Sequence, residues 1–178
     1  MIQLKTNAPA FFADLADVVR VFFDEPVSPD EGERVIEHAH TQADGRFTET
    51  CTYGGRSLRA TAPLASGVLE QKRMIKRVAK TCLYNLLKEA TGFRPPWGSL
   101  TGIRPTRLFY EALEAGKTEA EASQWLTEAF DATPAKANLL EEIIRVQRSA
   151  PAVAPDEYDL YIAIPFCPTR CDYCAFPA

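Results

Sequence analysis

Phe47-Thr48-Glu49-Thr50-Cys51-Thr52-Tyr53-Gly54-Gly55-Arg56 alternates in character, is rich in β-formers and carries a two-residue turn signal at Gly54-Gly55. Arg56–Thr61 then continues as a second strand. Upstream, Asp44-Gly45 is another hairpin signal, so a three-stranded meander is predicted over roughly residues 33–62. Ser28-Pro29-Asp30-Glu31 has the form of a capping box that would open a helix instead. Gly32 in its first turn and the downstream hairpin signals favour strands.

Outward from the meander, Met1–Thr6 alternates, with Ile2 and Leu4 against Gln3 and Lys5, and is predicted as a short strand. Pro9–Phe23 is predicted as a helix, because Phe11, Leu15, Val18 and Phe22 recur every three or four positions. Gly67–Ala90 is a long helix. Val68, Ile75, Ala79, Cys82, Leu86 and Ala90 line one face, and Lys72, Lys76 and Lys80 form a row on the other. Thr91-Gly92 closes it. A Pro/Gly-rich connection, Phe93–Pro105, leads to helices at Thr106–Ala115, Thr118–Phe130 and Pro134–Ser149. Thr118 and Glu121 make a capping box, and Thr133 is the expected N-cap before Pro134. Residues 1–150 are therefore expected to form an α+β domain: a small, mostly antiparallel sheet with helices, then a helical subdomain.

The 178 residues are 46% hydrophobic and 25% charged, the usage of an ordinary globular chain. No apolar run reaches the length of a membrane helix, and Met1–Asn7 lacks the form of a signal peptide. The formal charge of −4 gives no general attraction to nucleic acid. Three of the five cysteines lie close together near the C-terminus, which points to metal chemistry in a reducing compartment, and so to the cytoplasm. Residues 151–157 read as an Ala/Pro linker. Tyr158–Ile164 follows as an apolar strand of the kind buried in a parallel sheet.

The cluster is Ile164-Pro165-Phe166-Cys167-Pro168-Thr169-Arg170-Cys171-Asp172-Tyr173-Cys174-Ala175-Phe176, with spacing C-x3-C-x2-C. Three thiolates on one loop suit a [4Fe–4S] cluster with one iron left open to a ligand. Zinc and plain reactive thiols are the alternatives, and zinc would want a fourth nearby ligand.

Several other groups admit a functional and a plainer reading. Arg94, Arg104 and Arg107 crowd the segment around Trp97, where they could hold propionates or a phosphate, or simply surround a turn that packs Trp97. The lysine row is expected to be a solvated helix face. Cys82 is expected to be a packing residue, and Cys51 a packing residue or a free thiol in preference to a ligand. His38 and His40 share a face if their segment is a strand, and there a metal or haem ligand competes with structural roles.

C-x3-C-x2-C with Tyr173 before the last cysteine resembles the signature of the radical S-adenosylmethionine superfamily. Leu160-Tyr161-Ile162-Ala163-Ile164-Pro165-Phe166-Cys167 resembles the opening strand of the oxygen-independent coproporphyrinogen III oxidase-like family. Trp97-Gly98-Ser99-Leu100-Thr101-Gly102-Ile103-Arg104-Pro105-Thr106 is similar to a block of its HemZ-type branch. The resemblance implies that Cys167, Cys171 and Cys174 ligate the cluster, and that Tyr161 and Tyr173 contact S-adenosylmethionine. It implies radical, oxygen-independent decarboxylation of coproporphyrinogen III to protoporphyrinogen IX, fed by an electron donor such as flavodoxin or ferredoxin.

Two positions depart from the oxidising members: Phe176 replaces a further cysteine, and Ala163 a usual histidine. A haem carrier of the same family without oxidase activity is therefore the alternative. Residues 158–178 are expected to be the first strand and cluster loop of a truncated (β/α) barrel. A whole barrel needs about 200–250 residues, so the piece itself is expected not to turn over substrate.

Overall fold

The computed structural model describes residues 1–149 and, past them, Asp156, Tyr158, residues 160–164, Cys167, Thr169 and Cys171. The chain divides into two units, Met1–Arg148 and Ser149–Ala178.

The first unit is built on a five-stranded sheet of order β2-β1-β3-β4-β5, from β1 (Ile2–Thr6), β2 (Val27–Ser28), β3 (Arg34–Ala43), β4 (Arg46–Tyr53) and β5 (Arg56–Pro63). The meander forms as predicted. Asp44 and Gly45 turn at φ +50° and +71°, and Gly54 and Gly55 at +57° and +76°, the two positive angles of a hairpin turn whose twist suits its strands. β3–β4 and β4–β5 pair antiparallel, with His40 opposite Glu49 and Cys51 opposite Leu58.

The sheet as a whole is mixed, which corrects the mostly antiparallel expectation. β1 runs parallel to both β2 and β3, with Leu4 beside Ile36. The reason is the helix after β1, which carries the chain back so that the next strand re-enters in the same direction. β2 is only two residues long and leaves no period to read in a sequence.

Because side chains alternate along a strand, Ile2, Leu4, Ile36 and Cys51 share one face. α1 (Phe12–Phe22) and α2 (Val68–Thr91) supply Leu15, Val18, Val19, Ala79, Leu83, Leu86 and Leu87 to the same core. Pro9–Phe11 forms a short 3-10 turn ahead of α1. The opposite face carries Lys5, Val35, Glu37 and Ala39, all exposed.

α2 departs from its predicted stripe at the start: Val68 is exposed, and no side chain caps that end. Its other end closes on Gly92 in the left-handed region, as predicted. The lysine row is not simply solvated. Lys76 pairs with Asp14 of α1 at 2.6 Å, and Lys80 Nζ donates to the Thr101 carbonyl at 2.5 Å. Burial lowers the Lys80 pKa, against the opposing pull of Asp14 and Asp17.

α3 (Pro105–Glu114), α4 (Glu119–Phe130) and α5 (Pro134–Ser149) surround a second core of Leu108, Phe109, Ala122, Leu126, Phe130, Leu140 and Ile144. The predicted capping box opens α4: the Glu121 N–H donates to Thr118 Oγ1, and the Thr118 N–H to the Glu121 carboxylate. Thr133 takes the N-cap position expected of it before Pro134, its carbonyl accepting from the Ala137 N–H at 3.0 Å. Its hydroxyl donates to the Pro96 carbonyl at 3.1 Å and ties α5 to the preceding loop.

Candidate functional site

Two of the three proposed cluster ligands, Cys167 and Cys171, are described, and both are free thiols and exposed. Cys174 and Tyr173 lie outside the described residues. Tyr161 is exposed, as are Tyr158, Leu160, Ile162 and Ile164. Residues 160–164 take no regular secondary structure, so the strand expected there is not formed among them. A strand of this apolar type needs neighbours for its N–H and C=O groups and for both of its faces. Among the described residues no three His, Cys, Asp or Glu side chains are grouped to hold a metal ion.

The segment 97–107 is described in full, and its first half is spent on the fold. Trp97 and Leu100 pack against the second core, and Lys136 sits over the indole with Nζ 5.0 Å from the ring centre. Gly98 has φ +57° and lies against the backbone that ends α4. An added Cβ would overlap the Phe130 carbonyl oxygen and lie 2.6 Å from the Asp131 carbonyl carbon. The Ser99 N–H and hydroxyl both donate to that Phe130 carbonyl, at 2.8 and 3.2 Å. Thr101 gives its carbonyl to Lys80 of α2, while its buried hydroxyl has no partner among the described residues.

Beside this loop lies a charged hub. The Tyr84 hydroxyl and Lys88 Nζ of α2 donate to Asp131 Oδ2 at 2.7 and 2.8 Å, and Arg94 reaches Oδ1 at 2.7 Å. Burial works to raise the Asp131 pKa, but the hydrogen bonds from Lys88 and Tyr84 and the two cations outweigh it, so the net shift is downward. Burial and the bond to Asp131 push the Tyr84 phenol up.

The three arginines singled out in the sequence are thus not one site. Arg94 serves the hub, Arg107 pairs with Glu111 one turn along α3 at 3.1 Å, and exposed Arg104 has no ion-pair partner among the described residues.

Under the helices lies a polar chain that the sequence reading only half saw. Glu49 and His38 are buried in the apolar face of the sheet. His38 Nε2 meets Glu49 Oε2 at 2.8 Å, and His40 Nδ1 meets Glu49 Oε1 at 2.6 Å. His38 Nδ1 faces the Thr6 hydroxyl at 2.8 Å, and that oxygen accepts from the Ala8 N–H. Asn7 takes and gives one bond each with the His40 backbone. Glu49 was not singled out, yet its signal is present in the alternation. It falls in the row of Phe47, Cys51 and Tyr53, the row that must face the core.

The packing roles expected for the two thiols hold. Cys82 Sγ lies 3.5 Å from the Leu58 carbonyl and 3.7 Å from that of Glu49. Its hydrogen bond with Cys51, together with burial, pushes the Cys51 thiol far above the ordinary thiol range.

The chain is 34% identical over 175 residues, 92% of its length, to the oxygen-independent coproporphyrinogen-III oxidase-like protein HemZ of Bacillus subtilis (strain 168). It is similar to HemZ over that stretch. The chain spans 35% of the length of HemZ. No family model matches the chain, and no solved structure matches it. Among the described residues no helix is long and apolar enough to cross a membrane.

Proposed function

We propose that the chain is the N-terminal part of a cytoplasmic radical S-adenosylmethionine protein of porphyrin biosynthesis, and that the full protein oxidatively decarboxylates coproporphyrinogen III to protoporphyrinogen IX. The observation that carries this reading is the similarity to HemZ, whose printed name is that of a coproporphyrinogen-III oxidase-like protein, in a chain that also has the C-x3-C-x2-C spacing. The donor chemistry fits: Cys167 and Cys171 are free, exposed thiols, and soft thiolates suit an iron–sulfur cluster. Cys167, Cys171 and Cys174 would hold three irons and leave one without a protein ligand. Tyr161 and Tyr173 would contact S-adenosylmethionine beside it. When bound, the two cofactors would supply the one-electron chemistry, with electrons from a flavodoxin- or ferredoxin-like donor.

The second reading is a haem carrier of the same family. Phe176 and Ala163 favour it, because they stand where oxidising members carry a cysteine and a histidine. Anaerobic reconstitution of the full-length protein with iron and sulfide, read by EPR of the reduced state, tests the first reading. A [4Fe–4S] signal that shifts on adding S-adenosylmethionine and disappears in Cys167→Ser is expected. A silent spectrum would overturn the cluster assignment, whereas a cluster with haem bound and no porphyrinogen consumed would select the carrier.

A further inference from the structure

β5 is the long free edge of the sheet: it ends the strand order, and β2 at the other end is only two residues long. The turn at Gly54-Gly55 fixes which of its backbone groups are free. Tyr53 and Arg56 flank that two-residue turn and so form a hydrogen-bonded pair. Bonded and non-bonded pairs then alternate along the hairpin. Arg56, Leu58, Ala60 and Ala62 therefore bond to β4, and the Leu64 N–H keeps the same parity by donating to the Gly45 carbonyl at 2.9 Å. Ser57, Arg59 and Thr61 turn their N–H and C=O groups the other way, and all three residues are exposed. Pro63 ends the same row, where its missing N–H breaks no ladder bond.

This edge is cationic in a chain of net charge −4. β5 holds Arg56 and Arg59 and no acidic residue, and Arg46 of β4 stands opposite Pro63. The three arginines are exposed, and none has an ion-pair partner among the described residues. On the other face the edge is apolar: Leu58 and Ala60 are half-buried against the first core, under α2, which packs on β4 and β5.

We propose that β5 takes up an extended acidic peptide of a partner protein as a sixth, antiparallel strand. Ser57, Arg59 and Thr61 would supply the backbone bonds. Side chains alternate along a strand, so the peptide's acidic residues would share the open face with Arg59. Its small apolar residues would extend the row of Leu58 and Ala60. A second copy of the chain is disfavoured as the occupant, because pairing two β5 edges brings Arg56 and Arg59 of both copies together with no carboxylate between them. The same charges that keep identical edges apart select an acidic strand. The inference is independent of the cysteine reading, since none of its residues lies in that segment.

The test is a titration of the full chain with a synthetic peptide of alternating glutamate and valine, about as long as β5, followed by amide NMR. On binding, hydrogen exchange at the Ser57, Arg59 and Thr61 N–H groups should slow about 10-fold or more, while Leu58 and Ala60, already bonded to β4, change little. The peptide with lysine for glutamate should not bind. Nor should the peptide N-methylated at its glutamates, whose N–H groups face β5 in an antiparallel pairing. Arg59→Glu should weaken binding about 3–10-fold. Thr61→Pro removes an N–H from the free edge and none from the β4 ladder, and should weaken it about 2–10-fold.

No binding at roughly 1 mM peptide would overturn the proposal. So would equal binding of the lysine or the N-methylated peptide, or protection that misses Ser57, Arg59 and Thr61. A concentration-dependent dimer that protects the same three N–H groups without peptide would overturn it in favour of a second copy. Should either variant fail to fold, the exchange pattern and the two control peptides decide on the native chain.

Discussion

Gly98→Ala isolates what holds the loop before α3 against the end of α4. Two costs combine. Gly98 sits at φ +57°, and a side chain there costs about 1–2 kcal/mol. The new Cβ would also overlap the Phe130 carbonyl oxygen and lie 2.6 and 2.7 Å from the Asp131 carbonyl carbon and oxygen. All three are backbone atoms, so no side chain can swing away. The loop must retreat, at about 1–3 kcal/mol for overpacking. It also gives up the 2.8 Å bond from the Ser99 N–H to Phe130, worth about 1 kcal/mol.

The expected loss is about 3–6 kcal/mol, in the range reserved for a few specific mechanisms. Gly54→Ala is the matched control: it has the same φ of +57° and nothing within 4 Å of its added Cβ. It should cost only the first part, about 1–2 kcal/mol. Urea unfolding of the parent and both variants would be followed by far-UV circular dichroism and by tryptophan fluorescence. Both tryptophans, Trp97 and Trp125, pack against the second core, so fluorescence reports on the helices around the loop. If the two variants agree within about 0.5 kcal/mol, the scatter of independent sites, the close approach carries no energy and the reasoning is refuted.

Asp131→Asn should cost about 1–2 kcal/mol at pH 7, a value reduced because the hub is partly solvated; asparagine tolerates the positive φ at this position, so the backbone adds little. The folded Asp131 pKa is depressed. The stabilisation is therefore present above the unfolded value of about 3.9 and lost as pH falls through the lower folded value. Unfolding free energies at pH 7 and in strong acid should show the gap close; a gap that persists in acid would point to shape instead of charge. In the native chain iodoacetamide should label Cys167 and Cys171 and spare Cys51 and Cys82, read by peptide mass spectrometry, because burial shields the inner pair from the reagent. Thr118→Ala removes the α4 capping box and should cost about 1 kcal/mol in the same urea assay.

What could be read in advance was local. Gly54-Gly55, Asp44-Gly45, Gly92 and the Thr118–Glu121 pair each dictate a turn or an end within a few residues, and each is where it was expected. The parallel placement of β1 between β2 and β3 could not be read, because it depends on pairings more than twenty residues apart. The Lys76 and Lys80 contacts were hidden for a related reason. A lysine row on a helix looks solvated until α1 and the loop at Thr101 arrive beside it. Glu49 was legible and overlooked: charge suggested an outward residue, while its position in the strand required an inward one.

The loop 97–107 bears on where function lies in this chain. Its resemblance to a family block invites a binding role for its arginines, yet Trp97, Gly98, Ser99 and Leu100 all serve packing or backbone bonds at the second core. Thr101 then reaches back to Lys80 of α2, and Asp131 does the same through Tyr84, Lys88 and Arg94. The block therefore explains how a sheet layer and a helical layer with separate cores are joined, which is a structural reason for this composition. The polar groups left over in the first core are at Glu49 and His40, where a carboxylate and an imidazole sit in a face that would otherwise be wholly apolar. A fold accepts such a group only when its bonds are fully met. In this network the outer one, at His40 Nε2, is met by the exposed Gln42 at 2.9 Å, so this network too is closed within the fold.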